Sequence, residues 1–141
     1  MLRRILFSDK VFPVITRSMD AYATRQRAIA SNMANIATPG YQRMKVPFED
    51  DLRDALNTSG RMRGARDDSA HLPLGRSTVD ELRPRIERAD DRKLASGVNN
   101  VDIDREMAEL ADTNIRYQTM THYMKTKIGM LRNSINGRPG G

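Results

Sequence analysis

The residue types that could perform catalysis or hold a metal ion are few and far apart in this sequence. Only two histidines occur, His71 and His122, and they lie in different segments. A metal site with two histidine ligands is therefore not expected. Asp102, Asp104 and Glu106 resemble part of a cation-binding loop, but the glycine and the distal glutamate of such a loop are missing. We interpret these carboxylates as the negatively charged start of a helix.

Other catalytic signatures are also missing from the sequence. The chain contains no cysteine, so it offers no thiol nucleophile, no thiolate ligand and no disulfide. It contains no glycine-rich phosphate loop, no nucleophile elbow and no pairing of histidine with serine. The sequence predicts a protein that is not an enzyme and that uses no cofactor, metal ion or small-molecule substrate.

Composition and charge favour a small helical protein. Of the 141 residues, 38% are hydrophobic and 5% aromatic, which suits helix packing better than a β-sandwich. The net charge of +6 is compatible with nucleic-acid binding. However, acidic pairs such as Asp50–Asp51 and Asp67–Asp68 lie among the arginines and interrupt any basic surface. A small basic coiled-coil protein that binds nucleic acid or acts as an adaptor is the alternative interpretation.

The sequence contains no stretch that would cross or enter a membrane by the usual routes. No apolar run approaches the roughly 18 residues of a membrane span. The apolar stretch near the N-terminus stops at Ser8, which is too short for a secretory signal. If the protein leaves the cytoplasm, we expect it to do so without an ordinary cleaved signal peptide.

Proline and glycine divide the chain into three segments. Pro39–Gly40 and Asn136–Gly137 each end a helix-like segment, whereas the middle of the chain is dense in arginine and aspartate. The expected segments are an N-terminal helical segment at 1–40, an irregular or flexible segment at 41–98 and a C-terminal helical segment at 99–141.

The middle segment offers only two candidate elements. Phe48 to Leu56 has apolar residues spaced for a short helix, and Val79 to Ala89 is a weaker helix candidate that Pro84 interrupts. The rest of Thr58 to Val98 has isolated apolar residues, so we expect it to be disordered or to fold on assembly.

Both terminal segments carry seam residues alternately three and four positions apart, which is the heptad pattern of a coiled coil. This pattern predicts a mainly α fold in which long N- and C-terminal helices pair as an antiparallel coiled coil; two amphipathic helices of an ordinary bundle are the alternative. The predicted N-terminal seam consists of Phe12, Ile15, Met19, Tyr22, Gln26, Ile29, Met33 and Ile36. The predicted C-terminal seam consists of Ile103, Met107, Leu110, Asn114, Tyr117, Thr121, Met124, Ile128, Leu131 and Ile135.

Two polar residues in these seams predict the register of the pairing. If Ile36 is level with Ile103, Gln26 and Asn114 fall within one layer of the antiparallel pair. A polar residue in a seam specifies register at some cost in stability. Further apolar residues lie off the C-terminal seam, so we expect neighbouring subunits to complete the burial; they are Ile115, Met120, Tyr123 and Met130.

The end of the first helical segment combines two asparagines with a turn sequence. The motif consists of Asn32, Asn35, Thr38, Pro39, Gly40 and Tyr41. Asparagine side chains can bond the free carbonyls at a helix end, and the turn can bring Tyr41 back onto the helix. From the residues alone, this motif predicts an elaborate helix C-cap.

This motif resembles the signature of the bacterial flagellar rod and hook axial proteins. The second helical segment narrows the resemblance to proximal rod proteins, through the runs 99–107, 116–118 and 127–132. Met33 stands where the family more usually has isoleucine, and Thr58 to Ala95 match no part of the family pattern.

The resemblance implies a structural subunit of the rod in the flagellar basal body, which spans the periplasm and transmits torque. It implies that the terminal helices form the inner layer around the export channel. It also implies export by the flagellar type III apparatus without signal cleavage. The expected partners are other rod subunits, the rod adaptor and the membrane-ring proteins, with no nucleic acid among them.

Overall fold

The computed structural model describes residues 11–57, 79–89 and 99–137. Two long helices dominate it, α1 (Val11–Ala34) and α3 (Ile103–Ile135). The shorter elements lie between them in the chain: β1 (Met44–Lys45), α2 (Phe48–Asn57), a 3-10 turn (Val79–Glu81) and β2 (Glu87–Arg88). The first ten residues of the predicted N-terminal segment lie outside the described residues.

The two long helices pack against each other in opposite directions and form the stem of the subunit. Asn32 of α1 contacts Glu106 of α3, and Gln26 contacts Asn114. Earlier residues of α1 therefore contact later residues of α3, so the two helices are antiparallel. The predicted fold class, a mainly α fold with antiparallel terminal helices, is confirmed.

The ends of α3 follow from its flanking residues. Asp102 is the N-cap, and its Oδ1 accepts hydrogen bonds from the backbone N–H groups of Asp104 at 2.9 Å and Arg105 at 3.4 Å. Asn136 is the C-cap, and Gly137 follows with φ of +62°. The interpretation of Asp102, Asp104 and Glu106 as the acidic start of a helix is confirmed, and Glu106 is in addition fully buried.

The short elements form one unit, the outer module, which we define as residues 44–57 and 79–89. It packs chiefly on one side of α1. The strands β1 and β2 are antiparallel, with Met44 opposite Arg88 and Lys45 opposite Glu87. The core between this module and α1 is built from small and medium apolar side chains: Ala21, Ala28, Val46, Phe48, Ala55, Val79 and Leu82.

The outer module corrects part of the expectation for the middle of the chain. The candidate helix at Phe48 to Leu56 is present as α2. The weaker candidate at Val79 to Ala89 is wrong, because only the 3-10 turn is helical and the chain then extends into β2. Pro84 explains this, since it lacks an N–H group and disfavours the helical conformation of the preceding residue.

Within Thr58 to Val98, which we expect to be disordered or to fold on assembly, the described residues 79–89 contribute to the core. Val79 and Leu82 belong to the apolar core, and the backbone N–H of Ala89 donates to the carbonyl of Arg43 at 2.7 Å. Residues 58–78 and 90–98 lie outside the described ranges.

Two findings bear on the functional classes considered above, and both concern only the described part of the chain. There, no helix is long and apolar enough to cross a membrane. Nor does that part contain three or more acidic or histidine side chains grouped so that they could hold a metal ion.

Candidate functional site

The end of α1 meets β1 and α3 at Asn32, whose side chain is fully buried. Its Nδ2 donates to the carbonyl of Met44 at 2.8 Å and to Glu106 Oε2 at 3.0 Å. Its Oδ1 accepts from the N–H of Met44 at 2.8 Å and from the hydroxyl of Tyr41 at 3.1 Å. All four hydrogen-bonding positions of the amide are therefore in use.

Arg43 connects the chain leading into β1 to the start of α3, next to Asn32. Its side chain is almost fully buried, and its guanidinium pairs with the carboxylates of Glu106 and Glu109. Its backbone N–H donates to Asn100 Oδ1 at 2.7 Å. We call the group Asn32, Arg43 and Glu106 the junction, because it joins α1, the chain leading into β1, and α3.

The positive charge of Arg43 is stabilised by its hydrogen-bond and ion-pair partners. Burial alone would lower the pKa of this guanidinium, but the hydrogen bond and the charge of Glu106, together with Glu109, outweigh that effect and raise the pKa. Arg43 is thus a buried cation compensated by two carboxylates of α3. Removal of either carboxylate would leave charge poorly compensated in a dry environment.

A second asparagine bonds the turn that follows α1. Asn99 is fully buried, and its Nδ2 lies within hydrogen-bond distance of the carbonyls of Asn35 at 3.0 Å, Ile36 at 2.7 Å and Thr38 at 3.1 Å. Its Oδ1 accepts from the N–H of Val101 at 2.9 Å. These carbonyls belong to the turn that follows α1, so the side chain ties this turn to the backbone before α3.

The other residues of the sequence motif shape the turn after α1. Asn35 Nδ2 donates to the carbonyl of Ser31 at 2.8 Å, and the hydroxyl of Thr38 donates to Asn35 Oδ1 at 3.2 Å. Gly40 has φ of +71°, a conformation that favours glycine. Tyr41 then folds back onto the helix, as the sequence predicts, and bonds Asn32.

The predicted seam of α1 lies in buried or half-buried positions. Ile15, Tyr22 and Ile29 are buried. The remaining members of this seam are half-buried in the subunit: Phe12, Met19, Gln26, Met33 and Ile36.

The predicted seam of α3 divides into two columns of residues seven positions apart. One column is half-buried; it consists of Leu110, Tyr117, Met124 and Leu131. The other, which we call the outer column, exposes its apolar members, namely Met107 at 57%, Ile128 at 51% and Ile135 at 75%. Asn114 of this column is exposed and Thr121 is half-buried. Ile103 belongs to the first column, seven positions before Leu110, but at the start of the helix it is 37% exposed.

The side of α3 that α1 covers is rotated from the predicted seam by about one residue. Glu106 and Thr113 are fully buried there, each one position before a member of the outer column. Within the subunit, α3 therefore packs against α1 with the predicted column of Leu110 and Tyr117 and with the neighbouring positions of Glu106 and Thr113. Burial of the outer column by another subunit stays a prediction.

The predicted register of Gln26 and Asn114 is confirmed. Gln26 Nε2 donates to Asn114 Oδ1 at 2.8 Å, which places the two amides in the same layer of the stem. The count from Ile36 and Ile103 thus gives the correct alignment of the two helices.

A groove lies beside the junction between α1, β1 and α3. Its volume is about 320 Å³, and its walls combine the apolar side chains of Ile29 and Val46 with the charged side chains of Lys45 and Arg105. Thr113 also lines it, and its buried Oγ1 is the one buried side-chain polar atom in the described residues without a hydrogen-bond partner.

The outer module has its own ion pair with α1. Arg25 donates to both carboxylate oxygens of Glu49 and to the carbonyl of Val46. Burial would raise the pKa of Glu49, but the hydrogen bond and the charge of Arg25 outweigh this and hold the pKa below its ordinary value. This pair fixes the start of α2 against the stem.

The sequence analysis singles out Asn32 and the return of Tyr41 onto the helix, but it does not identify Arg43. It interprets Glu106 only as negative charge at the start of a helix, and Asn99 enters only through the family resemblance. A usable signal is the polar run Asn99–Asn100 shortly before the N-cap residue Asp102, since such residues often bond nearby backbone groups.

Comparison with known proteins gives a consistent set of relatives. No protein-family model matches the chain. The flagellar basal body rod protein FlgB of Bacillus subtilis is 34% identical over 80% of this chain and 83% of the relative. The FlgB proteins of Salmonella typhimurium and Escherichia coli are 28% and 29% identical, and the matches cover 85% and 84% of this chain and 88% and 87% of those relatives.

Proposed function

Because this chain belongs to the FlgB family of flagellar basal body rod proteins, we propose that it builds the rod by packing its terminal helices against those of neighbouring subunits. The family places the chain in the flagellar basal body as a structural subunit, in agreement with the function predicted from its sequence. The finer proposal is that α1 and α3 form the inner layer around the export channel and transmit torque from subunit to subunit.

The observation that carries this proposal is the outer column of α3. Met107, Ile128 and Ile135 expose more than half of their surfaces in the isolated subunit. Residues seven apart lie on one stripe of a helix, so Met107 near one end of α3 and Ile128 with Ile135 near the other lie on the same strip, with the polar Asn114 and Thr121 between them. Such a strip is typical of a surface that a partner covers.

The outer module leaves this strip accessible. The groove beside the outer module is lined on the α3 side by Arg105, Glu109, Asp112 and Thr113. At 100° per residue, these positions lie on the other flank of α3 from the outer column. Among the described residues, the outer module thus covers one side of the stem and leaves the side of the outer column exposed.

The proposed partners follow from the geometry of a rod. A tube is built by contacts between unlike surfaces of successive subunits. The outer column of one subunit and a different surface of the next would make such a contact. We extend the proposal to the rod adaptor and the membrane-ring proteins as neighbours at the base of the rod.

We also propose that the chain reaches the rod through the flagellar export apparatus and keeps its N-terminus. The apolar stretch that stops at Ser8 supports this, because it is too short for a cleaved secretory signal. Mass spectrometry of the protein from purified basal bodies tests the idea. A peptide beginning at Met1 or Leu2 is expected, and a mature N-terminus further along the chain would refute it.

The assembly proposal is tested by one charge placed in the outer column. Ile128→Asp should prevent incorporation into basal bodies and abolish motility, while the purified subunit keeps its helix content. Thr126→Asp is the matched control, because Thr126 is a polar, exposed residue of α3 that lies off the column. Normal incorporation of the Ile128→Asp variant would contradict the proposal.

No comparison supports the alternative of nucleic-acid binding. Arginines that could contact phosphate are instead engaged by carboxylates, such as Arg85 by Asp51 and Glu87, and Arg116 by Asp112. These pairs reduce the basic surface that a phosphate backbone would require.

A further inference from the structure

The Asn32 side chain occupies the place that a third strand would take beside β1. A neighbouring strand would accept from a backbone N–H and donate to a backbone carbonyl. The amide of Asn32 does both with the single residue Met44, at 2.8 Å in each case. The edge of β1 that faces α1 is therefore closed by a side chain.

The same amide is also bonded to α3. The Nδ2 hydrogen that is not used by Met44 donates to Glu106, and the other oxygen of Glu106 accepts from Arg43. Asn32 and Arg43 thus hold the two ends of one carboxylate. Glu106 is fully buried, so no bulk water competes for it.

The outer module meets the two helices by different kinds of contact. Its apolar core is formed with Ala21 and Ala28 of α1. The link to α3 runs through the buried charge of Arg43, whose two carboxylate partners, Glu106 and Glu109, both belong to α3. If α3 were undocked, Arg43 would lose both counter-ions, and its burial beside β1 would become unfavourable.

We propose that the junction makes the native position of β1 conditional on the docking of α3, so that the outer module takes its final orientation only in a subunit whose terminal helices have paired. Asn32 and Glu106 are positioning residues in this device. Asn32 bonds the edge of β1, and Glu106 pairs with Arg43 only when α3 is docked.

This device would order events during assembly, a consequence that rests on the proposed function. In a chain that arrives unfolded, the outer module would reach its native orientation only after α1 and α3 have paired. Neighbouring subunits could then dock only on a subunit with a completed stem.

The absence of cysteine from the chain allows a direct test with two disulfide reporters. Lys45→Cys with Glu87→Cys reports pairing of β1 with β2, since these residues are opposite each other. Gln26→Cys with Asn114→Cys reports pairing of α1 with α3, since these side chains are in contact. The rate of disulfide formation in the purified full-length chain under mild oxidant measures each pairing.

Each reporter is then combined with Glu106→Gln, or with Asp112→Asn as the matched control. Both changes replace a carboxylate of α3 by an amide, but Asp112 is exposed and pairs with Arg116. Asn32→Asp provides a second test from the α1 side, with Asn35→Asp as its control.

We expect Glu106→Gln and Asn32→Asp to slow the β1–β2 disulfide at least fivefold while the α1–α3 disulfide changes less than twofold. Both controls should leave both rates within twofold. A smaller effect on the β1–β2 disulfide would show that the apolar core alone positions the outer module. An equal loss of both disulfides would show that the junction belongs to one undivided core. Either result overturns the inference, and neither depends on the role of the chain in the rod.

Discussion

Replacement of Asn99 by alanine should destabilise the subunit more than its position in a short connection suggests. The side chain is fully buried and is shared between the turn after α1 and the backbone before α3. Alanine removes the amide without disturbing the conformation of the chain around it, so the effect measures the loss of these hydrogen bonds.

The size of the effect follows from the hydrogen bonds that are lost, chiefly those to Ile36 and Val101, because the carbonyls of Asn35 and Thr38 also accept from the backbone N–H groups of Thr38 and Tyr41. The two Nδ2 hydrogens serve three carbonyls, and Oδ1 accepts from Val101, which amounts to three net hydrogen bonds at about 1 kcal/mol each. Water can replace the bond to Thr38, which is exposed, but not easily the bond to Val101, which is buried. We therefore expect a loss of about 2–4 kcal/mol in the free energy of unfolding.

Urea unfolding followed by far-ultraviolet circular dichroism measures this loss. The control is Asn133→Ala, an exposed asparagine on α3, which should change the free energy of unfolding by less than about 0.5 kcal/mol. If Asn99→Ala costs less than about 1 kcal/mol, water or backbone rearrangement satisfies these groups equally well. The account of Asn99 as the link between the turn after α1 and the backbone before α3 would then be refuted.

Three further changes probe the ion pair, the register and the outer core. Because Arg25 holds the pKa of Glu49 below its unfolded value, the wild-type advantage over Glu49→Gln should be present above about pH 4.3 and fade as the pH falls through the folded pKa; urea titrations at several pH values check this. Gln26→Leu with Asn114→Leu should keep the helix content but impair rod assembly, and unimpaired motility would contradict it. Leu82→Ala should cost about 2–4 kcal/mol in the same unfolding assay, because Leu82 is buried in the core of the outer module.

The stem was predictable because its signal is local and repeated. The heptad spacing identifies both helices, and the Asp102 and Asn136–Gly137 caps mark the ends of α3. The register followed from one further fact, that Gln26 and Asn114 are polar residues in apolar seams. An amide placed against leucine or isoleucine would be left without a partner, so the alignment that pairs the two amides is favoured.

The junction could not be predicted because its members are distant in the sequence. Arg43 and Glu106 are 63 positions apart, and each is a residue type that is usually solvated. Nothing in one sequence indicates that a given arginine is buried, since its burial depends on where a partner helix places a carboxylate. The same limit explains Val79 and Leu82, which look isolated in a charged segment and yet are buried against α1.

The seam of α3 shows a different limit of prediction from sequence, because an apolar position does not indicate which surface will cover it. The sequence pattern shows which positions of the helix are apolar, but it does not distinguish those that pack within the subunit from those that remain exposed on it. In the subunit, α1 takes the column of Leu110 and Tyr117 and leaves Met107 and Ile128 exposed.

Together, the junction and the outer column divide the tasks of a rod subunit between polar and apolar residues. The buried hydrogen bonds of Asn32 and the ion pair of Arg43 with Glu106 are directional, so they select one orientation of the outer module on the stem. The side chains of Met107 and Ile128 are exposed, and in the proposed assembly they would provide apolar area, whose burial is non-directional. Rigid geometry within the subunit and apolar surface between subunits are the two properties that a torque-bearing tube requires. A substitution in the junction should therefore disturb the shape of the subunit, whereas one in the outer column should disturb only its incorporation.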